Sequence, residues 1–305
     1  MSSQLDIPIL IIVFNRPELT KKLINSLKLL KPLKIYVAAD GPRNENDIYP
    51  CNKTKAILES EIDWKCTLVK RYQTNNLGVK DNVYQAIDWF FINEEKGIIL
   101  EDDCEVNFSF FKFCKELLIK YEQNNRIKVI SGNFYFKSYF KNTYYFSRCP
   151  GTHGWASWRR AWKEYDVNMK KWSPYKDFIW LLIFFKLNIV KAHYFYKKFQ
   201  LTKNLQIVGW DYQFLYSIWK NNGLVIKPFV NLSKHIGWGD DATHGKGSDR
   251  HPEVIAEEID FPLIHPLKIK ENSKLDNLEI KKIRKLYFFS YIGHKILKKI
   301  INFLK

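Results

Sequence analysis

The residues best placed to do chemistry are Glu101, Asp102 and Asp103, three consecutive carboxylates that end the β-branched run Gly97-Ile98-Ile99-Leu100. A continuous Ile/Val/Leu run is the pattern of a buried parallel strand, and ligands of open α/β sheets sit beyond the carboxyl ends of such strands. Three adjacent acids raise each other's pKa unless something cationic lies among them. Hard oxygen donors suit Mg2+ or Mn2+. The plain alternative is a solvated acidic turn.

Other segments must position the triplet. Ile7 to Phe14 is a second buried-strand run, followed by Asn15-Arg16-Pro17-Glu18 and a helical pattern over Leu19 to Leu30. Leu33 to Ala39 predicts another strand, stopped at Asp40-Gly41-Pro42 by a strong turn signal. A polar stretch and a short strand over Thr67 to Lys70 follow. Asn75-Asn76-Leu77-Gly78-Val79-Lys80 then opens a helix from Asp81 to Asn93 that leads into the carboxylate strand. This β-α-β-α-β alternation predicts a doubly wound, mostly parallel sheet. The chain has neither Gly-x-Gly-x-x-Gly nor a Walker lysine loop, which argues against a dinucleotide oxidoreductase or a P-loop enzyme. The strand ends offer Arg16, Asp40, Lys80 and the triplet. That mixture suits a nucleoside diphosphate, with cations for phosphate and acids for ribose and a metal.

The run Pro8 to Asp40, the Asn76 to Lys80 segment and Ile98 to Phe111 resemble the nucleotide-sugar half of glycosyltransferases with the GT-A fold. The resemblance is to the N-acetylglucosaminyltransferase I type and its bacterial relatives, in which Glu-Asp-Asp before a Phe-rich helix replaces Asp-x-Asp. It covers residues 7 to 245. It implies a GT-A, Rossmann-like α/β sheet flanked by helices over 1–245, with a nucleotide-sugar half to about 135 and an acceptor side from 136. It further implies that Arg16 contacts the nucleotide, Asp40 reads the uracil, Asp102 contacts ribose and Asp103 binds the metal. Glu101 belongs to the same donor-side group, and Lys80 is placed near the diphosphate as a basic residue at a helix start.

Cys149 to Trp162 packs glycines beside Trp155, Trp158 and Trp162. The i, i+3, i+7 spacing predicts one helix face packed in a core, while the glycines and His153 suggest a loop beside a sugar. Asp211 follows Gly209-Trp210 at the head of an apolar helix, Tyr212 to Trp219, where it is either a helix cap or, as the resemblance implies, the general base. One such carboxylate suffices for an inverting transfer, because it takes the acceptor proton while a metal stabilises the leaving diphosphate. After a strand over Gly223 to Pro228, the Gly-rich stretch Asn231 to Gly245 predicts a mobile lid. Within it His244 is read as completing the metal shell or donating to phosphate, with a surface histidine as the alternative. Asp240 and Asp241 hold the turn, and His235 is a weaker candidate.

The 305 residues can bury a full core. The five cysteines form no Cys-x-x-Cys pair, and their odd number predicts reduced, cytosolic thiols rather than zinc ligands. No signal peptide is visible. The net charge of +17 concentrates at the end, where residues 265–305 carry eleven Lys/Arg against three acids. A linker and basic amphipathic helices are therefore expected over 246–305, lying on an anionic membrane surface or packed back on the domain. The aromatic stretch from Phe178 to Lys198 is too short to span a bilayer and is read as a further membrane contact, a buried helix or a homodimer contact.

The expected activity is thus an inverting, Mn2+- or Mg2+-dependent transfer from a UDP-sugar to a surface glycan or lipid-linked acceptor, at the cytoplasmic face of the membrane and without nucleic acid. A sugar-nucleotide nucleotidylyltransferase would share the sheet and acids, yet Phe14-Asn15-Arg16-Pro17 is not its Gly-rich basic loop. A non-catalytic basic module for membrane or nucleic acid would explain the charge but not Glu101 to Asp103 and Asp211.

Overall fold

A computed structural model describes residues 4–136, 141–238 and 255–283 of the chain. The first half alternates strictly: β1 (Ile9–Val13), α1 (Pro17–Lys28), β2 (Lys34–Ala39), α2 (Glu45–Glu61), β3 (Thr67–Tyr72), α3 (Gly78–Asn93) and β4 (Lys96–Glu101). All five residues of β1 are buried. Alternate side chains enter opposite cores, with Ile9, Ile11 and Val13 on one face and Leu10 and Ile12 on the other. That is why the run lacks polar positions. Pro17 starts α1, where its missing N–H costs nothing, and Leu23, Ile24 and Leu27 form the buried stripe.

The second half contributes β5 (Cys104–Val106), α4 (Phe108–Lys120), β6 (Ile127–Ser131), β7 (Tyr144–Ser147), β8 (Trp155–Trp158), α5 (Arg159–Trp162), α6 (Pro174–Phe184), α7 (Ile189–Lys203), α8 (Asp211–Lys220), β9 (Leu224–Pro228) and β10 (Ser233–His235). The main sheet has the order β3-β2-β1-β4-β8-β6-β9-β7. Its first four strands are parallel, and β8 runs antiparallel between β4 and β6. The architecture is a Rossmann-like α/β sheet with helices on both faces. The chain moves from β1 outward through β2 and β3, then returns to place β4 on the other side of β1. The crevice between β1 and β4 is therefore a topological switch point, where such sheets bind ligands.

Three expectations are corrected. Trp155 to Trp158 is a strand rather than a helix face, and only Trp162 lies in a helix, the single turn α5. Trp155 and Trp158 sit on opposite faces of β8, one in each core. Glycine-rich 231–245 is not all lid: Asn231, Leu232 and Ser233 are buried, and β10 pairs antiparallel with β5. Finally, 255–283 is not a linker. Ile259 and Leu263 join the main core, residues 273–283 are helical, and a buried Lys227–Glu279 ion pair of 2.6 Å pins that helix to β9. From 284 on, the expected basic segments lie outside the described residues. Among the described residues no helix is long and apolar enough to cross a membrane, and the five cysteines carry free thiols.

Candidate active site

The carboxyl ends of β1, β2 and β4 open into one cavity of about 470 Å3, lined among others by Arg16, Asp40, Glu101, Asp102, Asp103 and Asp211. Six of the eight expected site residues therefore share one chamber. Lys80, in the first turn of α3, is not among the lining residues. His244, like Asp240 and Asp241, lies outside the described residues.

The triplet is ordered by main-chain and ionic contacts. The backbone N–H of Phe14 donates to Asp102 Oδ2 at 3.2 Å, and Arg16 Nη1 lies 2.9 Å from Asp103 Oδ2 and 3.5 Å from Asp102 Oδ1. Pairing of β1 with β4 puts the arginine of one strand end beside the acids of the next. Gly237 passes so close that a Cβ there would stand 2.7 Å from Asp103 Oδ2 and 3.0 Å from Arg16 Nη1. Only glycine lets the chain after β10 cross this ion pair.

His235 is the functional residue that sequence reasoning undervalued. The β5–β10 ladder sets it opposite Cys104, and its Nε2 lies 3.2 Å from Asp103 Oδ2. Its ring meets those of His153 and Trp238 at 4.6 and 4.5 Å between centroids. No local signal marks it, because its place depends on pairing with Cys104, 131 positions earlier in the chain.

Electrostatics divide the acids. Burial pushes the Glu101 carboxyl up, reinforced by the negative charges of Asp103, Asp102 and Asp211. Burial and the Asp103 charge likewise raise Asp102, against the pull of Arg16 and the Phe14 N–H. Burial acts upward on Asp103 too, but the His235 hydrogen bond and the charges of His235, Arg16 and His153 outweigh it and hold that carboxyl down. Neighbouring carboxylates whose affinities for protons are driven apart can take different roles.

Asp40 is buried at the end of β2 and acts as a clamp. Its Oδ1 accepts from the N–H groups of Gly41 and Leu77, both at 2.9 Å, and its Oδ2 accepts from Gly78 N–H at 3.1 Å and Asn76 Nδ2 at 3.0 Å. It thereby ties β2 to the first turn of α3, whose Gly78, Val79 and Asn82 line the cavity.

Asp211, which also lines the cavity, is exposed and is the first residue of α8. The N-cap position belongs to Trp210, whose side chain makes no capping hydrogen bond. Asp211 is thus a first-turn acid, favourable to the helix dipole, with Oδ1 turned back to within 3.0 Å of where a Gly209 Cβ would be. Lys198 on α7 is buried, which pushes its ammonium down to about 8 against the opposing influence of the Asp211 charge.

Among the described residues no group of three or more His, Cys, Asp or Glu side chains forms a metal cage. A cation bridging a diphosphate needs only one or two protein carboxylates, with phosphate and water completing its shell. Asp103, ionised and at the cavity wall, fits that demand. Buried Asn82 Oδ1 and His235 Nδ1 have no hydrogen-bond partner. Both residues line the cavity, so the wall presents polar atoms that a polar ligand would satisfy.

The fold and site define an α/β chain with a Rossmann-like sheet and an acid-rich chamber at its switch point. No family model matches the chain, and no curated protein does. Among solved structures it is similar to a mannose-1-phosphate geranyltransferase from Thermus thermophilus, at 9% identity over 72% of this chain and 73% of that one, with a TM-score of 0.34. It is also similar to a putative glucose-1-phosphate thymidylyltransferase from Bacillus anthracis in complex with a sucrose, at 11% identity over 70% of this chain and 94% of that one, with a TM-score of 0.33. Neither is of the N-acetylglucosaminyltransferase I type, and likenesses this slight carry no argument about chemistry.

Proposed function

We propose that this chain is an inverting, metal-dependent glycosyltransferase of the GT-A kind, moving a sugar, with N-acetylhexosamine favoured by the resemblance, from UDP to a hydroxyl of a surface glycan or lipid-linked saccharide. The observation that carries the reading is that Asp103 with Arg16 and Asp211, far apart in sequence, line one chamber. In this reading the donor nucleotide meets Arg16 and Asp102, and Asp103 holds Mn2+ or Mg2+, with His244 as a candidate second ligand. The cation, when bound, offsets the charge of the departing diphosphate. Asp211 takes the proton of the acceptor hydroxyl as its oxygen attacks the anomeric carbon; the C–O bond to the diphosphate breaks and its electron pair leaves with UDP. Asp40 shapes the wall around the base by holding the start of α3, and Lys80 has no part in the chamber.

Asp211→Asn tests the reading. Turnover of the matching donor and acceptor should fall roughly 100- to 10,000-fold while donor affinity is kept; unchanged turnover would exclude Asp211 as the base. Pyrophosphate release from a sugar 1-phosphate and a nucleoside triphosphate would instead support a nucleotidylyltransferase.

A further inference from the structure

Helix α6 has the composition of an interior helix without the corresponding burial. From Phe178 to Phe184 it is apolar around its whole circumference, a pattern that belongs inside a protein or a bilayer. Yet Tyr175, Ile179 and Ile183, spaced four apart, are exposed, at 79, 40 and 68%. The stripe continues into the turn to α7, where Leu187, Ile189 and Val190 all stand out, Leu187 at 76%. The opposite side is packed: Leu181 is fully buried, and Phe184 and Phe185 stack on Trp219 and Phe195. The hairpin is thus firmly built, with one side left uncovered.

The exposed charge of this hairpin has one sign. Between 174 and 206 the sequence contains six lysines and a single acid, Asp177. That acid is buried and paired with Lys220 at 2.6 Å, so it contributes nothing to the surface. Lys176, Lys186, Lys197 and Lys203 are exposed. The helix over 273–283 reaches the same hairpin, because Lys191 Nζ bonds to Asn277 Oδ1. The chain then continues into 284–305, which carries six more Lys/Arg and no acid.

We infer that the outer face of the α6–α7 hairpin docks on an anionic bilayer surface, with Ile183, Leu187, Ile189 and Val190 entering the interface and the hairpin's exposed lysines meeting the headgroups. Exposed apolar side chains on a hairpin whose exposed charges are lysines match a surface with acyl chains below acidic headgroups. A soluble apolar partner would leave the lysines unmatched. With no spanning helix among the described residues, the contact lies on the membrane plane. The inference stands apart from the chemistry of the cavity, and its test needs no turnover.

Full-length protein is mixed with phosphatidylcholine vesicles containing or lacking about one-third phosphatidylglycerol, and binding is read by flotation. The expected result is binding to the anionic vesicles alone, weakened by salt. Ile183→Asp combined with Leu187→Asp and Val190→Asp should reduce it by ~10-fold or more, with the melting temperature kept because these side chains are exposed. Equal binding by the triple variant would overturn the inference and assign the membrane to another part of the chain. Absence of vesicle binding by the wild type, with a dimer in light scattering that the triple variant dissociates, would overturn it in favour of a second copy.

Discussion

Asp40 shows how one side chain can be read for the right place and a different task. At the sequence level it is an acid at a strand end. Folded, both its oxygens accept hydrogen bonds from the turn 76–78 and from Gly41. Asp40→Ala leaves three main-chain N–H groups without their acceptor, and we expect a loss of about 3 kcal/mol in chemical denaturation together with weakened ligand binding. A variant as stable as the wild type would contradict the clamp. Glu101, Asp102, Asp103, Arg16 and Asp211 were legible because strand ends and helix starts announce themselves through local pattern. His235 and Asn82 were not. One owes its place to the long-range β5–β10 pairing, and the other is a polar residue in the helix α3 with nothing in its neighbours to distinguish it.

At the scale of elements, α2 was the main omission, read only as a polar stretch. Its sequence carries Pro50 and little amphipathic pattern, and it buries only Asp47, Cys51, Thr54 and Leu58. It is fastened by a charge instead. Asp47 accepts from Arg43 Nε at 2.6 Å and from Asn15 Nδ2 at 2.7 Å, linking α2 to the loop after β1. The Arg43 hydrogen bond holds its carboxyl down at about 2, from an ordinary 3.8. A lowered carboxyl adds stability above its unfolded pKa and loses it as pH falls through the folded value. Asp47→Asn should therefore cost about 1–2 kcal/mol at neutral pH, with Arg43 half in solvent limiting the effect. The gap from wild type should close between about pH 4 and pH 2 in unfolding titrations, and a pH-independent gap would refute the assignment. The Trp155 to Trp158 strand misled for a related reason: i, i+3 spacing of large residues is shared by a helix face and by a strand buried on both sides.

The helix 273–283 makes the opposite case. Its Lys227–Glu279 pair is almost wholly buried, and breaking such a pair leaves a charge stranded in the interior. Glu279→Ala should lower stability by about 3–5 kcal/mol and open the 255–283 segment to protease. Resistance equal to that of the wild type would show that the segment is held by its apolar contacts alone.

Over the whole molecule, chain length foretold enough residues to bury a full core, which the sheet divides between its two faces, and the β-α-β-α-β rhythm foretold the parallel half of the sheet. The antiparallel insertion of β8 and the return of β10 to the triplet were not legible, because strand order follows from which faces can be covered rather than from any local run of residues. That return completes the chamber by bringing His235 and Gly237 against Asp103. The central claim concerns what enters the chamber, and it is met most directly by calorimetric titration of UDP-, GDP- and CMP-sugars into wild type and Asp103→Ala, with and without Mn2+. The account predicts binding of one UDP-sugar that needs the metal and is abolished by the substitution. A folded wild type that binds none of them, or binds equally well without Asp103, would contradict it.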